Sequence, residues 1–144
     1  DLQVIRTLPG EPEMPVYSRL SDDVEGQQLI AAMARLCGGF WLQTDAPWSV
    51  RTRVWRAQNI AAIPMHWINY RQDEAAAIEI PIPVGPIQAQ MRLPADARVD
   101  HVEWCYPEMQ QAVRLAHDVV DGHILFSIPR LIVHGMSVIH LQPA

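Results

Sequence analysis

The sequence predicts a mainly β protein, an antiparallel β-sandwich of about eight strands with one N-terminal helix. Three observations carry this reading. The apolar period changes at Phe40 from the helical value of about 3.6 to the strand value of 2. Beyond Phe40, apolar runs recur at regular spacing with turn signals such as Pro94-Ala95-Asp96 and Asp121-Gly122 between them. Only one stretch of the chain combines helical spacing with both a start and a stop signal.

Leu2-Gln3-Val4-Ile5 is a short apolar strand. Pro9, Pro12 and Pro15 then exclude helix or central strand and imply an extended crossing. Ser21, Asp22 and Asp23 offer N-cap oxygens, and Asp22 with Glu25 resembles a capping box. Leu29, Ala32, Met33 and Leu36 follow at helical spacing, and Gly38-Gly39 supplies the left-handed stop. The helix has one apolar stripe and few residues of its own segment to cover it. The domain boundary is placed here: residues 1–39 as a strand-and-helix remnant of a preceding α/β domain, and residues 40–144 as the sandwich.

In the second part, Trp48, Val50, Thr52 and Val54 alternate with Ser49, Arg51, Arg53 and Trp55 as a half-buried strand. Ala62 to Tyr70 reads as a second strand, broken or edge-shifted by Pro64. Ala77 to Val84 carries Ile78, Ile80 and Ile82 on one face, with Pro81 and Pro83 confining it to an edge. Ile87 to Leu93, Val99 to Tyr106 and Ala112 to Val119 are the next strands. Asp121-Gly122 predicts a hairpin into Ile124 to Ile128. The last run, Leu131 to Leu141, is long and apolar enough to lie centrally.

Composition bounds the function. The chain has 144 residues, 49% of them apolar, enough to bury a core without disulfide or metal support. Its 11 basic residues are all arginine, which excludes Schiff-base and phosphate-loop lysine chemistry on this chain. The net charge of −5 argues against nucleic acid and anionic membranes as partners. No run approaches the roughly 18 apolar residues of a membrane span, and DLQVIRTLPG is not a signal peptide. The absence of an initiator Met points to a processed chain or a piece of a longer one. Cys37 and Cys105 show no metal or redox spacing, and no disulfide framework is expected.

Several residues carry groups capable of chemistry. The six histidines lack the tight H-x-x-x-H or C-x-x-C pairs from which zinc sites are usually built. His134 and His140 share a strand face, and His101 lies near Asp100 and Glu103, but the expectation is isolated structural or surface histidines with no metal and no cofactor. No serine sits in a nucleophile elbow. Cys37 lies at the wrong helix end for a lowered pKa, and Cys105 reads as a small core residue. The acids Asp73, Glu74, Glu103 and Glu108 show no spacing that marks a glycosidase pair. The five tryptophans are the better lead, because an aromatic face can stack on sugar or anchor an interface. Trp55 shares a face with Arg51 and Arg53, a geometry suited to cation–π packing, so these three are the candidate interface or sugar-contact residues. Trp48, Trp67 and Trp104 fit the core equally well.

Four strings then point to a family: Val54-Trp55-Arg56, Ile63-Pro64-Met65-His66-Trp67-Ile68-Asn69-Tyr70, Pro83-Val84-Gly85-Pro86-Ile87, and the stretch from Gly122 to Ile139 that includes Phe126-Ser127-Ile128-Pro129. Over residues 40–144 the chain resembles the small C-terminal β-sandwich of large bacterial glycoside hydrolases, especially beta-galactosidase-like ones. It departs at His134, where such domains often carry Tyr. The resemblance implies that residues 1–39 are the tail of a glutamine-amidotransferase-like α/β domain. It also implies that the catalytic carboxylates lie in an upstream barrel, with none on this chain. The expected function is therefore a non-catalytic accessory module whose partners are upstream domains of the same polypeptide. A homo-oligomer and a carbohydrate are the further partners kept open. The alternatives are a carbohydrate-binding module using an exposed tryptophan, and a small stand-alone metal-dependent enzyme.

Overall fold

The described helix and the strands beyond it fall in two compact units, Asp1–Phe40 and Trp41–Ala144. The computed structural model describes residues 3–6, 16–19, 24–55, 61–73, 75–107 and 109–142. In the first unit β1 (Gln3–Arg6) pairs antiparallel with β2 (Val16–Arg19), with Gln3 opposite Arg19 and Arg6 opposite Val16. Helix α1 follows (Val24–Leu36), with Glu25 in its first turn and Arg35 in its last, the signs the helix dipole favours. Cys37 N–H and Gly39 N–H donate to the Met33 and Ala34 carbonyls, and Gly38 and Gly39 adopt φ of 64° and 94°. The Gly-Gly stop thus works through the left-handed backbone that glycine reaches without strain. Of the expected apolar stripe, Leu29, Met33 and Leu36 are exposed. The proline crossing and the N-cap residues lie outside the described residues.

The second unit is built from β3 (Leu42–Thr44), β4 (Val50–Val54), β5 (Ala62–Asn69), β6 (Ile87–Arg92), β7 (Val99–Cys105), β8 (Val113–Leu115), β9 (His117–Val120), β10 (His123–Ile128) and β11 (His134–Leu141). They form two antiparallel sheets, β3-β6-β10-β9 and β4-β5-β11-β7-β8. Each long strand buries alternate residues, and the buried sets of both sheets merge into one cluster. Met65, Trp67, Val102, Trp104 and Ile139 from one sheet meet Ile87, Met91, Ile124 and Ile128 from the other. This is a sandwich with its core between the sheets. The chain is mainly β, as the period-2 pattern requires.

Two features close the core. Trp67 Nε1–H donates to Ser137 Oγ at 3.0 Å, with both residues fully buried. Asn69, also buried, donates from Nδ2 to the Ile82 and Ile132 carbonyls at 2.9 and 2.8 Å and accepts from Arg71 N–H. The Asn-Tyr string at the end of β5 is thus a clamp that ties two loops to the sheet.

The central place expected for the last run belongs to β11, which lies between β5 and β7. Asp121 and Gly122 have φ of 49° and 72° and join β9 to β10 as a two-residue hairpin loop. Other elements differ from the pattern the sequence predicts. Pro64 neither breaks β5 nor moves it to an edge: β5 runs unbroken between β4 and β11. The Pro64 carbonyl accepts from Trp55 N–H, so its missing donor falls just beyond the last β4–β5 pair, Val54 with Met65. Ala77 to Val84 is a loop held by isolated bridges, Gln72 to Pro81 and Val84 to Leu131, because Pro81 and Pro83 remove ladder donors. Ala112 to Val119 is two strands: β8 joins the five-stranded sheet and β9 the four-stranded one. Trp48 is not core. Val50 N–H donates to Pro47 O, making a turn that interrupts the parity, so Trp48 is 58% exposed and Ser49 is buried instead. The sequence does not predict β3, whose three residues are too few to show an alternation.

Candidate functional site

The outer face of the five-stranded sheet collects the residues that alternate with the core. From β4 and the position just after it come Arg51, Arg53 and Trp55. From β5 come His66 and Ile68, followed by Tyr70. From β11 come His134, Met136 and His140, and from β7 His101, Glu103 and Cys105. The cross-strand register pairs Arg53 with His66, His66 with Met136, and His140 with His101.

At one side of this face lies an open groove of about 650 Å³ lined by Arg51, Arg53, Trp55, His66, Ile68 and Tyr70. The structure brings together all three candidate contact residues. The Arg53 guanidinium stands 5.8 Å from the Trp55 ring centroid, and Trp55 and Tyr70 are 54% and 64% exposed. The groove therefore offers two aromatic faces beside guanidinium donors, a surface that can stack on a flat apolar ring face and hydrogen-bond its rim. Arg51 Nη1 donates to the Trp48 carbonyl, which fixes one wall. Sequence reasoning missed His66 and Tyr70, although their parity opposite Trp67 was a usable signal. A smaller groove of about 370 Å³ lies beside exposed Trp48, between Arg71 and Asp73.

Four of the six histidines are not isolated. His66 Nδ1 lies 3.3 Å from His134 Nε2, and the rings stack with centroids 5.6 Å apart. His101 and His140 stack more closely, at 4.2 Å and 11°. Glu103 reaches both: its Oε1 is 3.4 Å from His101 Nε2 and its Oε2 is 3.1 Å from His140 Nε2. His101 Nδ1 is 2.6 Å from Asp100 Oδ2. This hydrogen bond is the main reason the Asp100 carboxyl is held below its usual range. Burial opposes that shift, while the charges of His101, Arg114 and His140 reinforce it. These pairings arise from register between β7 and β11, which no local spacing reveals.

Glu103, considered as half of a carboxylate pair, faces two histidines; Glu74 and Glu108 lie outside the described residues. Asp73 accepts from Ala75 N–H in a turn. Cys37 and Cys105 are both free thiols. Cys105 is half-buried on the outer face rather than in the core, and burial, followed by the charge of Glu103, pushes its pKa up. No helix among the described residues is long and apolar enough to cross a membrane.

No protein-family model and no curated protein matches the sequence. Solved structures do share the fold. Alpha-L-fucosidase isoenzyme 2 from Paenibacillus thiaminolyticus is similar at TM-score 0.64 and 21% identity, covering 82% of this chain and 18% of the fucosidase. A cycloisomaltooligosaccharide glucanotransferase from Paenibacillus sp., complexed with cycloisomaltoheptaose, is similar at TM-score 0.54 and 17% identity, covering 68% of this chain and 16% of its own. The chain thus spans less than a fifth of the length of either enzyme, and what it shares with them is a β fold.

Proposed function

We propose that this chain is a non-catalytic accessory β-sandwich module of a larger glycoside hydrolase, serving to brace neighbouring domains of the same polypeptide. The observation that carries the reading is the coverage: most of this chain superposes on less than a fifth of a carbohydrate-active enzyme. The inward-facing residues of both sheets are spent on packing, which leaves chemistry to surfaces of the kind that domain contacts use. Kinship with beta-galactosidase-like enzymes in particular rests on the strand strings from Ile63 to Tyr70 and from Gly122 to Ile139. Assignment of residues 1–39 to the tail of an amidotransferase-like domain rests on the helix with its single apolar stripe. The isolated chain is expected to leave aryl fucosides and aryl galactosides intact. Turnover of either substrate that disappears in a Glu103→Gln variant would overturn the proposal.

A second reading is favoured by the groove itself. Trp55 and Tyr70 beside Arg53 form a platform suited to an oligosaccharide, so the module also serves in carbohydrate contact. Titration with fucosyl, galactosyl and glucosyl oligosaccharides, followed by tryptophan fluorescence, tests this. A saturable change lost in Trp55→Ala supports it, and no change at millimolar sugar removes it.

A further inference from the structure

We propose that His101, Glu103 and His140 form a binding site for a divalent transition-metal ion of the zinc class, on the outer face of strands β7 and β11. The two imidazoles and one carboxylate bring their ligand atoms within 4.8 Å of one another. Two nitrogens and an oxygen bound to zinc at about 2.0–2.2 Å in a tetrahedral arrangement stand roughly 3.0–3.6 Å apart. His101 Nε2 lies 3.4 Å from Glu103 Oε1 and His140 Nε2 lies 3.1 Å from Glu103 Oε2, one carboxylate oxygen toward each ring. All three side chains are partly exposed, so the rings are free to converge on an ion and water can reach the remaining positions.

The hydrogen bonding around the cluster points the same way. Asp100 engages Nδ1 of His101 at 2.6 Å, and Nε2 of the same ring faces Glu103 at 3.4 Å. A carboxylate behind a histidine whose other nitrogen faces an open position is the recurring outer shell of metal-bound imidazole. The donor set of two imidazoles and one carboxylate suits zinc, nickel, copper or iron and disfavours calcium or magnesium, which take oxygen ligands. His66 and His134 provide the internal contrast. Their nitrogens are equally close, at 3.3 Å, but no third ligand completes the pair among the described residues.

The test is a zinc titration of the EDTA-stripped full chain against a chromophoric chelator near neutral pH. One zinc per chain is expected. Glu103→Gln and His140→Ala should each weaken binding by about tenfold or more, and Asp100→Asn, which removes no ligand, by about 10–100-fold. His134→Ala and Cys37→Ser should change it less than twofold. Near-UV circular dichroism establishes that each variant is folded, and the near-isosteric Glu103→Gln decides the matter should His140→Ala not fold. The proposal is overturned if the chain binds no zinc in this competition. It is equally overturned if binding survives Glu103→Gln, or if it follows His134 or Cys37 instead.

Discussion

Trp67 and Ser137 share a hydrogen bond of 3.0 Å between adjacent strands β5 and β11, where neither side chain touches solvent. The indole N–H is the one polar group on a large apolar side chain, and the serine hydroxyl supplies its acceptor. Ser137→Ala leaves that N–H buried and unpaired, at a cost of about 1–3 kcal/mol. Urea unfolding should show this as a lower midpoint. Ser137→Ala made in a Trp67→Phe background should cost measurably less, because no buried donor is then stranded.

Asn69 holds two loop carbonyls, Ile82 and Ile132, through a single amide nitrogen. Asn69→Asp puts an acceptor against both of them. The expected loss is at least about 2 kcal/mol. Amide exchange should report faster opening of residues 82–84 and 131–133, where Val84 and Leu131 exchange backbone bonds.

Gly135 lies under the Trp104 ring: a β-carbon there would stand 2.2 Å from Trp104 Cη2. Trp104 is buried, so its ring has little space into which to retreat. Gly135→Ala is expected to destabilise by about 1–3 kcal/mol or more through overpacking. The double variant Gly135→Ala/Trp104→Phe should recover part of that loss in thermal unfolding, since the smaller ring vacates the contact.

Trp55 is 54% exposed and packs with Arg53, so Trp55→Ala should change stability by less than about 1 kcal/mol. A loss of ligand or domain binding in this variant at unchanged unfolding midpoint would mark the groove as a contact surface. A large stability loss would instead assign Trp55 to packing.

The two thiols should separate kinetically. Cys37 is exposed, whereas burial and then the Glu103 charge raise the Cys105 pKa and so reduce its thiolate below the usual fraction at mildly alkaline pH. Reaction with an aromatic disulfide reagent should be biphasic. The slow phase should belong to Cys105 and accelerate as pH rises, and Cys105→Ser should remove it.

Much of the architecture was legible from local patterns. The helix bounds followed from Glu25, the Leu29–Leu36 spacing and Gly38-Gly39. The β9–β10 hairpin followed from Asp121-Gly122, because a two-residue loop with positive φ at both positions admits few residue pairs. Met65, Trp67, Val102 and Trp104 alternate with outward residues along β5 and β7 and are buried. Errors arose where a neighbour decided the outcome. Pro64 is tolerated because β4 ends beside it, and Trp48 turns outward because Pro47 and Val50 close a turn. Likewise, residues 112–120 divide between two sheets instead of forming one strand.

By itself the sequence determined the mainly β class, the antiparallel habit, the helix, and the common face of Arg51, Arg53 and Trp55. Each of these rests on the period or conformational preference of a few adjacent residues. Only the tertiary structure decided that Tyr70 and His66 complete the groove and that His140 meets His101 and Glu103. Strands β7 and β11 lie about thirty residues apart in the chain, and their register is set by which apolar faces bury together. A local pattern says which way a side chain points, but long-range packing chooses what lies opposite it.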